Sequence, residues 1–458
     1  MRKHSQHSVK GRRPKSKATS TRTAKSSHGF LGAWQQLLGK YVPRIRKRRG
    51  RPPRVELSSL LAALVFHLMN SAGNLAEHFG MLFEDSLNDS SCASRRARMP
   101  WEVFTELMQR TLRPLARKKR DSEAFWRGWR LLAMDGTQFS VTNTPQVKRT
   151  QRKAKSRRGR AAFAKIVTGV LLEVGLHNPL AAAIGFQGQS EWQLALSLLA
   201  QMPKQALLLA DRLHGCAAFV CHAMAACQRV GSHFLIRARS QIKVQTMRKL
   251  KDGSRIVRVP VRQKGKPRVI LQWLELREIR VRVQRPGFKA TELRLWTSLH
   301  DPESAPASEL IELYAQRWEH ELFYRQLKGQ LRKNAVLQSH TVETGAQEIA
   351  AMMIVAAMLA RERAEAANGE VPALRISFLK LLELMRPLWL VLELGDDLLE
   401  GWQKEELTQR FQKQARSCLT PRKRARSCPR AVRQPIGKWP RLTRNQSWTG
   451  TASFKIIP

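Results

Sequence analysis

Acidic side chains next to two predicted strands are the first candidates for chemistry in this sequence. Asp135 directly follows the apolar run 129–134, and Asp211 directly follows the apolar run 206–210. A carboxylate at the end of a buried strand is costly unless it meets a cation or another partner. Mg²⁺ prefers carboxylate and water oxygens and needs few protein ligands. Two such strand ends in one sheet therefore predict a metal site, and a third carboxylate is needed to hold two ions.

The third carboxylate comes from a predicted helix over 308–331. Four of its side chains lie at offsets of 0, 3, 7 and 14, namely Tyr314, Arg317, Glu321 and Lys328. With about 3.6 residues per turn, these offsets share one face of a helix. Charged residues at helical spacing are usually a solvated face, so the helix alone is a weak signal. Combined with the two aspartates, the helix is predicted to supply one carboxylate that binds metal. Its two basic side chains and its tyrosine hydroxyl are predicted to bind phosphate.

The elements around the aspartates predict an α/β core. Strands are expected at 129–134, 166–175, 180–186, 206–210 and 233–238, and helices at 190–201 and 215–230. The order β-β-β-α-β-α-β is the ribonuclease-H-like succession, in which parallel strands with helices on their faces extend an early hairpin sheet. The carboxyl ends of adjacent strands meet in such a sheet, which would bring Asp135 and Asp211 together.

The remaining segments predict further units. Strands at 256–261, 268–271, 274–283 and 293–299 form a β-rich insertion, and helices follow at 344–367 and 371–397, the second broken near Pro387. The expected organisation is a basic disordered arm (1–28), a helical domain that binds DNA ends or simply packs (29–127), the first part of the core (128–238), the insertion (239–307), the second part of the core (308–365), C-terminal helices (366–408) and a basic tail (409–458).

The charge of the chain points to a polyanionic partner. The 458 residues include 82 Lys and Arg but only 35 Asp and Glu, a formal net charge of +47. Seventeen of the cations precede the first acidic residue, Glu56, and thirteen follow the last, Glu406. The internal run 148–165 has nine cations and no acid, and it includes Lys148 and Arg149. We expect this run to contact nucleic-acid phosphates, although solvated charge is the alternative reading.

Composition argues against several other classes. No apolar run reaches the roughly 18 residues of a membrane span, and the segments 57–69 and 349–360 are expected to be buried helices. The first residues lack the apolar region of a secretory signal, so secretion is not expected. Six cysteines without a CxxC pair suggest a reducing cytosol and argue against a zinc ribbon.

The helix matches the Tyr-(2)-Arg-(3)-Glu-(6)-Lys signature at all four positions, and Asp135-Gly136-Thr137 and Asp211-Arg212 match two aspartate motifs. On these motifs the chain resembles the bacterial insertion-sequence DDE transposases of the cut-and-paste type, over roughly residues 130–365. A β-rich insertion between the second aspartate and the glutamate is also typical of that family. One departure is Arg212-Leu213-His214, where the family often has Arg-Gly-Phe.

The resemblance implies a mechanism. Asp135, Asp211 and Glu321 would hold two Mg²⁺ or Mn²⁺ ions, which would activate water or a DNA 3′-hydroxyl and stabilise the leaving oxygen. Arg317 and Lys328 would grip phosphates beside the scissile bond, and Tyr314 could hydrogen-bond a phosphate. The enzyme would act on the inverted repeats at its element's ends and on target DNA, as a dimer, in the bacterial cytoplasm at the nucleoid and without a membrane.

Other residues receive narrower expectations. Arg212 would brace Asp211 or contact DNA. Trp273 is the candidate in the insertion for stacking on a flipped base, with packing as the more common role of a strand tryptophan. Trp296 is expected in the core. His214 and the nearby cysteines are not expected to converge on a metal, and His320 is not required by the mechanism.

Three alternative functions remain at this point. A decayed or domesticated copy would bind DNA without cutting it. A ribonuclease-H-like nuclease would use only water as its nucleophile and give no strand transfer. A basic structural RNA-binding protein would explain the charge of the chain but not the three acids.

Overall fold

The structure is a computed structural model, and it describes residues 29–42, 55–70, 72–83, 87–151, 153, 155–156, 159–284, 290–331, 334, 336–421, 426–427, 448–449 and 453–457. The predicted arm 1–28, most of the predicted tail 409–458 and part of the basic run 148–165 lie outside these residues. The described chain combines a mixed β-sheet and its flanking helices with a bundle around one long helix.

The main sheet begins with the predicted ribonuclease-H-like order. Its strands are β1 (Trp129–Val141), β2 (Ala164–Glu173), β3 (Asn178–Gly185), β4 (Ala206–Ala210), β5 (His233–Arg237), β6 (Gln245–Lys249), β7 (Arg255–Gln263), β8 (Lys266–Gln284), β9 (Thr291–Thr297) and β10 (Ser453–Ile456). Their spatial order is β3-β2-β1-β4-β5-β9-β8-β7-β6, with β10 beside β8 and an eleventh, two-residue strand, Phe125–Trp126, antiparallel to β1. Strands β1, β4 and β5 are parallel, whereas β2 and β3 are antiparallel to their neighbours. The insertion thus continues the core sheet.

The helices flank this sheet or form the bundle. They are α1 (Gly29–Tyr41), α2 (Leu57–Met69), α3 (Leu75–Leu82), α4 (Asp89–Ala97), α5 (Trp101–Thr111), α6 (Pro145–Thr150), α7 (Glu191–Leu199), α8 (Ala217–Arg229), α9 (Ala307–Ala315), α10 (Glu319–Arg325), α11 (Val342–Ala367), α12 (Phe378–Leu394) and α13 (Gly401–Ser417). Most of the predicted helices and strands are present within a few residues of their expected bounds.

Strand alternation divides the core between the two faces of the sheet. Leu132 and Met134 of β1 pack with the residues of α7 and α8. Leu131 and Ala133 instead pack on the opposite face, with α9 and its Tyr314. Successive side chains of a strand point to opposite faces, so Asp135 continues the face that α9 covers. Asp135 therefore lies at the edge of the apolar core between the sheet and α9.

Helix α11 is the centre of the bundle. Its residues share one continuous apolar core with α1 to α5 and with α12 and α13. By length and composition α11 could cross a membrane, but 94% of its most apolar window is buried inside the protein. The predicted segments 57–69 and 349–360 are both buried helical segments, as expected.

Two strand predictions were wrong in their extent. Strand β1 does not end before Asp135: it continues to Val141, because β2 pairs with it along its whole second half. The segments 268–271 and 274–283 form one strand, β8, because β7 and β9 pair with successive parts of it.

The helix predictions need three corrections. Pro387 lies inside α12 without ending it, because Met385 and Trp389 on either side are buried in the bundle core. The helix predicted over 308–331 is divided by a 3₁₀ turn at Gln316–Trp318, and it ends in a π-helical segment at Gln326–Leu331. Helix α13 spans the expected boundary between 408 and 409, so the described start of the basic tail is helical.

Candidate functional site

Asp135 and Asp211 occupy neighbouring positions where the parallel pairing of β1 and β4 ends. The parallel pairing of β1 with β4 ends at Met134 and Ala210, so each aspartate is the next residue along its chain segment. The main-chain N–H of Gly136 donates to Asp135 Oδ1 over 2.8 Å. Burial and the negative charge of Asp211 raise the pKa of Asp135 to about 6. The two carboxylates therefore repel each other across a partly dehydrated gap.

Asp211 is held by the turn that follows it. Its Oδ1 accepts from the Leu213 N–H at 2.8 Å and from His214 Nδ1 at 3.1 Å. Burial alone would raise the pKa of Asp211, but the hydrogen bond and charge of His214 outweigh it and lower this pKa. Asp211 thus carries the negative charge of the pair, and Asp135 is the carboxyl that more readily keeps a proton.

Arg317 links the third predicted acid to the two aspartates. Its guanidinium donates to Glu321 Oε1 over 3.1 Å, and its positive charge lowers the pKa of both Asp135 and Asp211. Arg317 also hydrogen-bonds Tyr314, whose burial raises its pKa to about 12. The structure therefore brings Tyr314, Arg317 and Glu321 to the side of the aspartates.

The donor set fits a divalent cation, although the acids are not gathered around one point. Among the residues that the structure describes, no three His, Cys, Asp or Glu side chains stand close enough to form a metal-binding group. Carboxylate oxygens are the ligands that Mg²⁺ and Mn²⁺ prefer. The mutual repulsion of Asp135 and Asp211 is the kind that a bound cation relieves. Asp135, Asp211 and Glu321 thus carry the oxygen ligands that such an ion prefers.

Lys328 binds the strand that bears Asp135. Its Nζ donates to Thr137 Oγ1 and, over 2.9 Å, to the main-chain oxygen of Gln138. Nζ also lies 5.0 Å from the centre of the Phe139 ring. The side chain predicted to grip a phosphate is therefore tied to β1, two to four residues beyond the aspartate.

Two buried histidines fix the helix that carries Glu321. His177, in a left-handed conformation with φ of 51°, lies 2.8 Å from Glu319 Oε2 and 2.9 Å from Gln326 Oε1. His320 Nε2 donates to the main-chain oxygen of Val170 on β2 over 3.2 Å. Burial lowers the pKa of His320 to about 3, so its ring stays neutral. The hairpin β2–β3 thereby holds α10 on both sides of Glu321.

A family model decides the relationship of this chain to known proteins. The model for the transposase DDE domain matches residues 126–359. The chain belongs to the DDE transposase family. The matched segment starts just before β1 and ends within α11, so it contains Asp135, Asp211, Glu321 and the whole insertion.

A curated relative of this DDE family member supports the same assignment. The transposase InsG of insertion sequence element IS4 from Escherichia coli K12 is 28% identical to it over 228 residues. The alignment covers 49% of this chain and 50% of the relative. The chain thus matches about half the length of that relative.

The remaining predicted DNA contacts of this DDE family member lie on its surface. Lys148 and Arg149 are exposed on α6. Arg212 is exposed beside a cavity of about 390 Å³ that Asp211 also lines. Trp273 is 48% exposed on β8, so it is not a core residue. Trp296, by contrast, is fully buried and donates to Glu278 Oε2 over 2.8 Å, which confirms its predicted place in the core.

Several residues at the site were not predicted. His214 was discounted, yet it hydrogen-bonds Asp211. Tyr324 hydrogen-bonds β1, and His177 hydrogen-bonds Glu319 of α10. Glu191 lies against Gly136. The position of Tyr324, three residues after Glu321, was a usable signal, because i and i+3 share a helix face. No local pattern marks His177 or Glu191, because their contacts join segments far apart in the chain.

Proposed function

We propose that this protein is a DNA transposase that cuts the ends of its own element and joins them to target DNA. The observation that carries the proposal is the adjacency of Asp135 and Asp211 where the parallel pairing of β1 and β4 ends, with Arg317 between them and Glu321. Carboxylates beside a guanidinium, at the open end of a sheet in a chain of net charge +47, are suited to phosphodiester chemistry.

Asp135, Asp211 and Glu321 are the proposed ligands of two Mg²⁺ or Mn²⁺ ions. When bound, such ions supply activation of the attacking hydroxyl and charge stabilisation of the leaving oxygen. Arg317, which pairs with Glu321 in the absence of substrate, is proposed to exchange part of that pairing for a phosphate oxygen. Its planar fork suits a bidentate contact. Tyr314 orients this guanidinium from the buried side.

The DNA would lie along the surface beside the acids. The cavity next to Asp211 is bordered by Arg212 and Arg239, and Arg239 holds the turn by donating to the Leu213 main-chain oxygen over 2.8 Å. Lys328 would steady β1 and the phosphate next to it. Lys148, Arg149 and Trp273 are proposed contacts outside this centre. The partners are the element's inverted repeats, target DNA and a second copy of the chain, in the cytoplasm at the bacterial nucleoid.

Excision in cells tests this proposal. The gene's native flanking DNA is placed on a donor plasmid, the protein is supplied in trans, and the rejoined donor site is amplified. We expect a product from the native protein and from Glu312→Gln, which changes an exposed acid of α9, and none from Asp135→Asn or Glu321→Gln.

Each other outcome contradicts a defined part of the proposal. A product from Glu321→Gln would remove Glu321 from the site. Absence of product from every protein, with the purified chain still binding the flanking DNA, would favour a DNA-binding protein that does not cut. Cleavage of the flanks by purified protein without strand-transfer products would favour a ribonuclease-H-like nuclease.

A further inference from the structure

Glu191, the first residue of α7, reaches the site from the opposite face of the sheet. Its Oε1 lies 2.3 Å from the position that a Cβ of residue 136 would occupy. The residue there is Gly136, which follows Asp135 directly. Only a residue without a side chain leaves room for the Glu191 carboxyl. Gly136 therefore leaves a notch in that face of β1, and the Glu191 carboxyl occupies this notch.

In this notch Glu191 is electrostatically coupled to both aspartates. The Gly136 N–H, which donates to Asp135 Oδ1, also lies near enough to Glu191 to oppose the rise in its pKa. The charges of Asp135 and Glu191 act on each other, and so do those of Asp211 and Glu191. Three partly buried carboxyls from β1, α7 and the end of β4 thus influence one another's charge, although in the described chain they are not gathered around one point.

An orphaned buried atom provides an independent observation at the same place. His214 is 1% exposed, and its Nδ1 donates to Asp211. Its Nε2 is buried and has no hydrogen-bond partner within the described part of the chain. Burial raises the pKa of the Glu191 carboxyl, and the nearby His214 ring opposes this shift. Buried polar atoms without a partner are rare in native proteins, and a catalytic or ligand-binding role is one explanation for them.

Helix capping does not account for Glu191. An acid in the first turn of a helix is often a response to the helix dipole. The N-terminus of α7 is already capped by Ser190 and Gln193, which form a reciprocal capping box. A dipole role also requires no notch in the neighbouring strand. Capping therefore does not explain why the Glu191 side chain points toward Gly136 and the aspartates.

We propose that Glu191 is a further carboxylate ligand of the divalent-metal site formed by Asp135 and Asp211. This inference rests on the proposed function, since it adds a residue to the same site. The cation would draw together three carboxylates that repel one another without it, and Glu321 would join them from α10. The two aspartates and Glu191 would then hold the ion between β1, the end of β4 and α7.

Mn²⁺ binding to the purified full-length chain, followed by electron paramagnetic resonance, tests the inference without relying on activity. Loss of even an outer partner of a metal ligand typically weakens binding by about 10-fold to 100-fold. We therefore expect Glu191→Gln and Asp135→Asn each to weaken Mn²⁺ binding at least about tenfold. The matched control Glu312→Gln, an exposed acid of α9, should bind as the native chain does.

A second variant separates ligation from helix stability. Glu191→Asp keeps the negative charge in the first turn of α7 but shortens the side chain by one methylene. It should keep the native melting temperature without metal and still lose Mn²⁺ affinity. Native affinity in Glu191→Asp and Glu191→Gln would overturn the inference.

The failure of this inference is distinguishable from failure of the proposed function. If Asp135→Asn loses Mn²⁺ binding while both Glu191 variants keep it, Glu191 is not a ligand and the proposed site stands without it. If Asp135→Asn keeps native Mn²⁺ affinity, the site is not built on Asp135, and both proposals are wrong.

Discussion

The hydroxyl of Tyr324 donates a hydrogen bond to the main-chain oxygen of Asp135 over 2.9 Å. Tyr324 is on α10, three residues after Glu321, and it is buried. This single contact ties the helix of the third acid to the strand of the first. Because it is made to the main chain, it positions the aspartate without competing for the carboxylate oxygens.

Replacing Tyr324 with Phe should disturb the site more than the fold. The ring can keep its edge contact with His320, and only the hydroxyl is lost. One hydrogen bond contributes about 1 kcal/mol to the free energy of unfolding. A small displacement of a reacting group lowers rates by up to about 100-fold. We expect the free energy of unfolding, measured in urea, to fall by about 1 kcal/mol. Cleavage of flanking DNA should be about 10-fold to 100-fold slower.

Tyr41→Phe is the matched control for that variant. Tyr41 is on α1, far from the site in sequence, and its ring faces the Arg110 guanidinium at 4.5 Å. It should leave cleavage unchanged. A Tyr324→Phe protein that cuts DNA at the native rate would show that this hydroxyl has no positioning role.

The sequence predicted the parts of the fold that local patterns control. Strand β4 was located to the residue, because a run of five apolar residues bounded by polar ones is typical of a fully buried strand. The pairing of Asp135 with Asp211 followed from strand order. The notch at Gly136 was not predictable, since nothing near Glu191 in the sequence reveals which strand it will meet. The continuity of α12 through Pro387 likewise depends on packing in the bundle.

Gly215 controls the turn that follows Asp211. A Cβ at this position would lie 1.9 Å from the main-chain oxygen of Arg237 on β5. Main-chain atoms cannot move aside cheaply, so Gly215→Ala must displace the turn or the strand. We expect a loss of about 2–4 kcal/mol in the free energy of unfolding, the range of severe steric changes. Denaturant unfolding followed by circular dichroism measures it.

Gly39→Ala provides the opposite case for comparison. Gly39 lies inside α1, and a Cβ there would have no neighbour within 4 Å. Alanine in a helix interior is favoured over glycine by about 0.5–1 kcal/mol, so this variant should be more stable than the native chain. If both alanine variants changed stability in the same direction, the close approach at Gly215 would not explain its effect.

Glu362 makes stability depend on pH near neutrality. This residue of α11 is 4% exposed. Burial, and to a smaller extent the negative charge of Glu365, raise the pKa of Glu362 to about 7. The unfolded chain has the ordinary value of 4.5, so the folded state binds the proton more tightly. The contribution of Glu362 to stability is therefore fully present below about pH 4.5 and is lost as pH rises through about 7.

Glu362→Gln should remove this loss. Its unfolding free energy should equal that of the native chain within error at pH 4.5. At pH 8 it should exceed the native value by about 3–4 kcal/mol, since each unit between the folded and the unfolded pKa corresponds to about 1.4 kcal/mol. Denaturant titrations across this range test it, with Glu312→Gln as an exposed control. A difference that stays constant with pH would mean that Glu362 does not titrate in this way.

Lys148 and Arg149 should contribute to DNA affinity without sequence preference. Both are exposed on α6, on the connection between β1 and β2, and each phosphate contact releases about 0.9 counterions from duplex DNA. Replacing both with Gln should weaken binding about equally for element-end and unrelated duplexes. The slope of log affinity against log salt should become shallower by about 1.8. Fluorescence anisotropy at several salt concentrations measures it.

Lys380→Gln is the control for these contacts. Lys380 is exposed on α12 and forms an ion pair with Glu383 over 2.9 Å, so its removal should leave the salt slope unchanged. An unchanged slope in the Lys148 and Arg149 double variant would place the DNA elsewhere on the protein. A loss confined to element-end DNA would instead mean that these side chains read the sequence rather than the phosphate backbone.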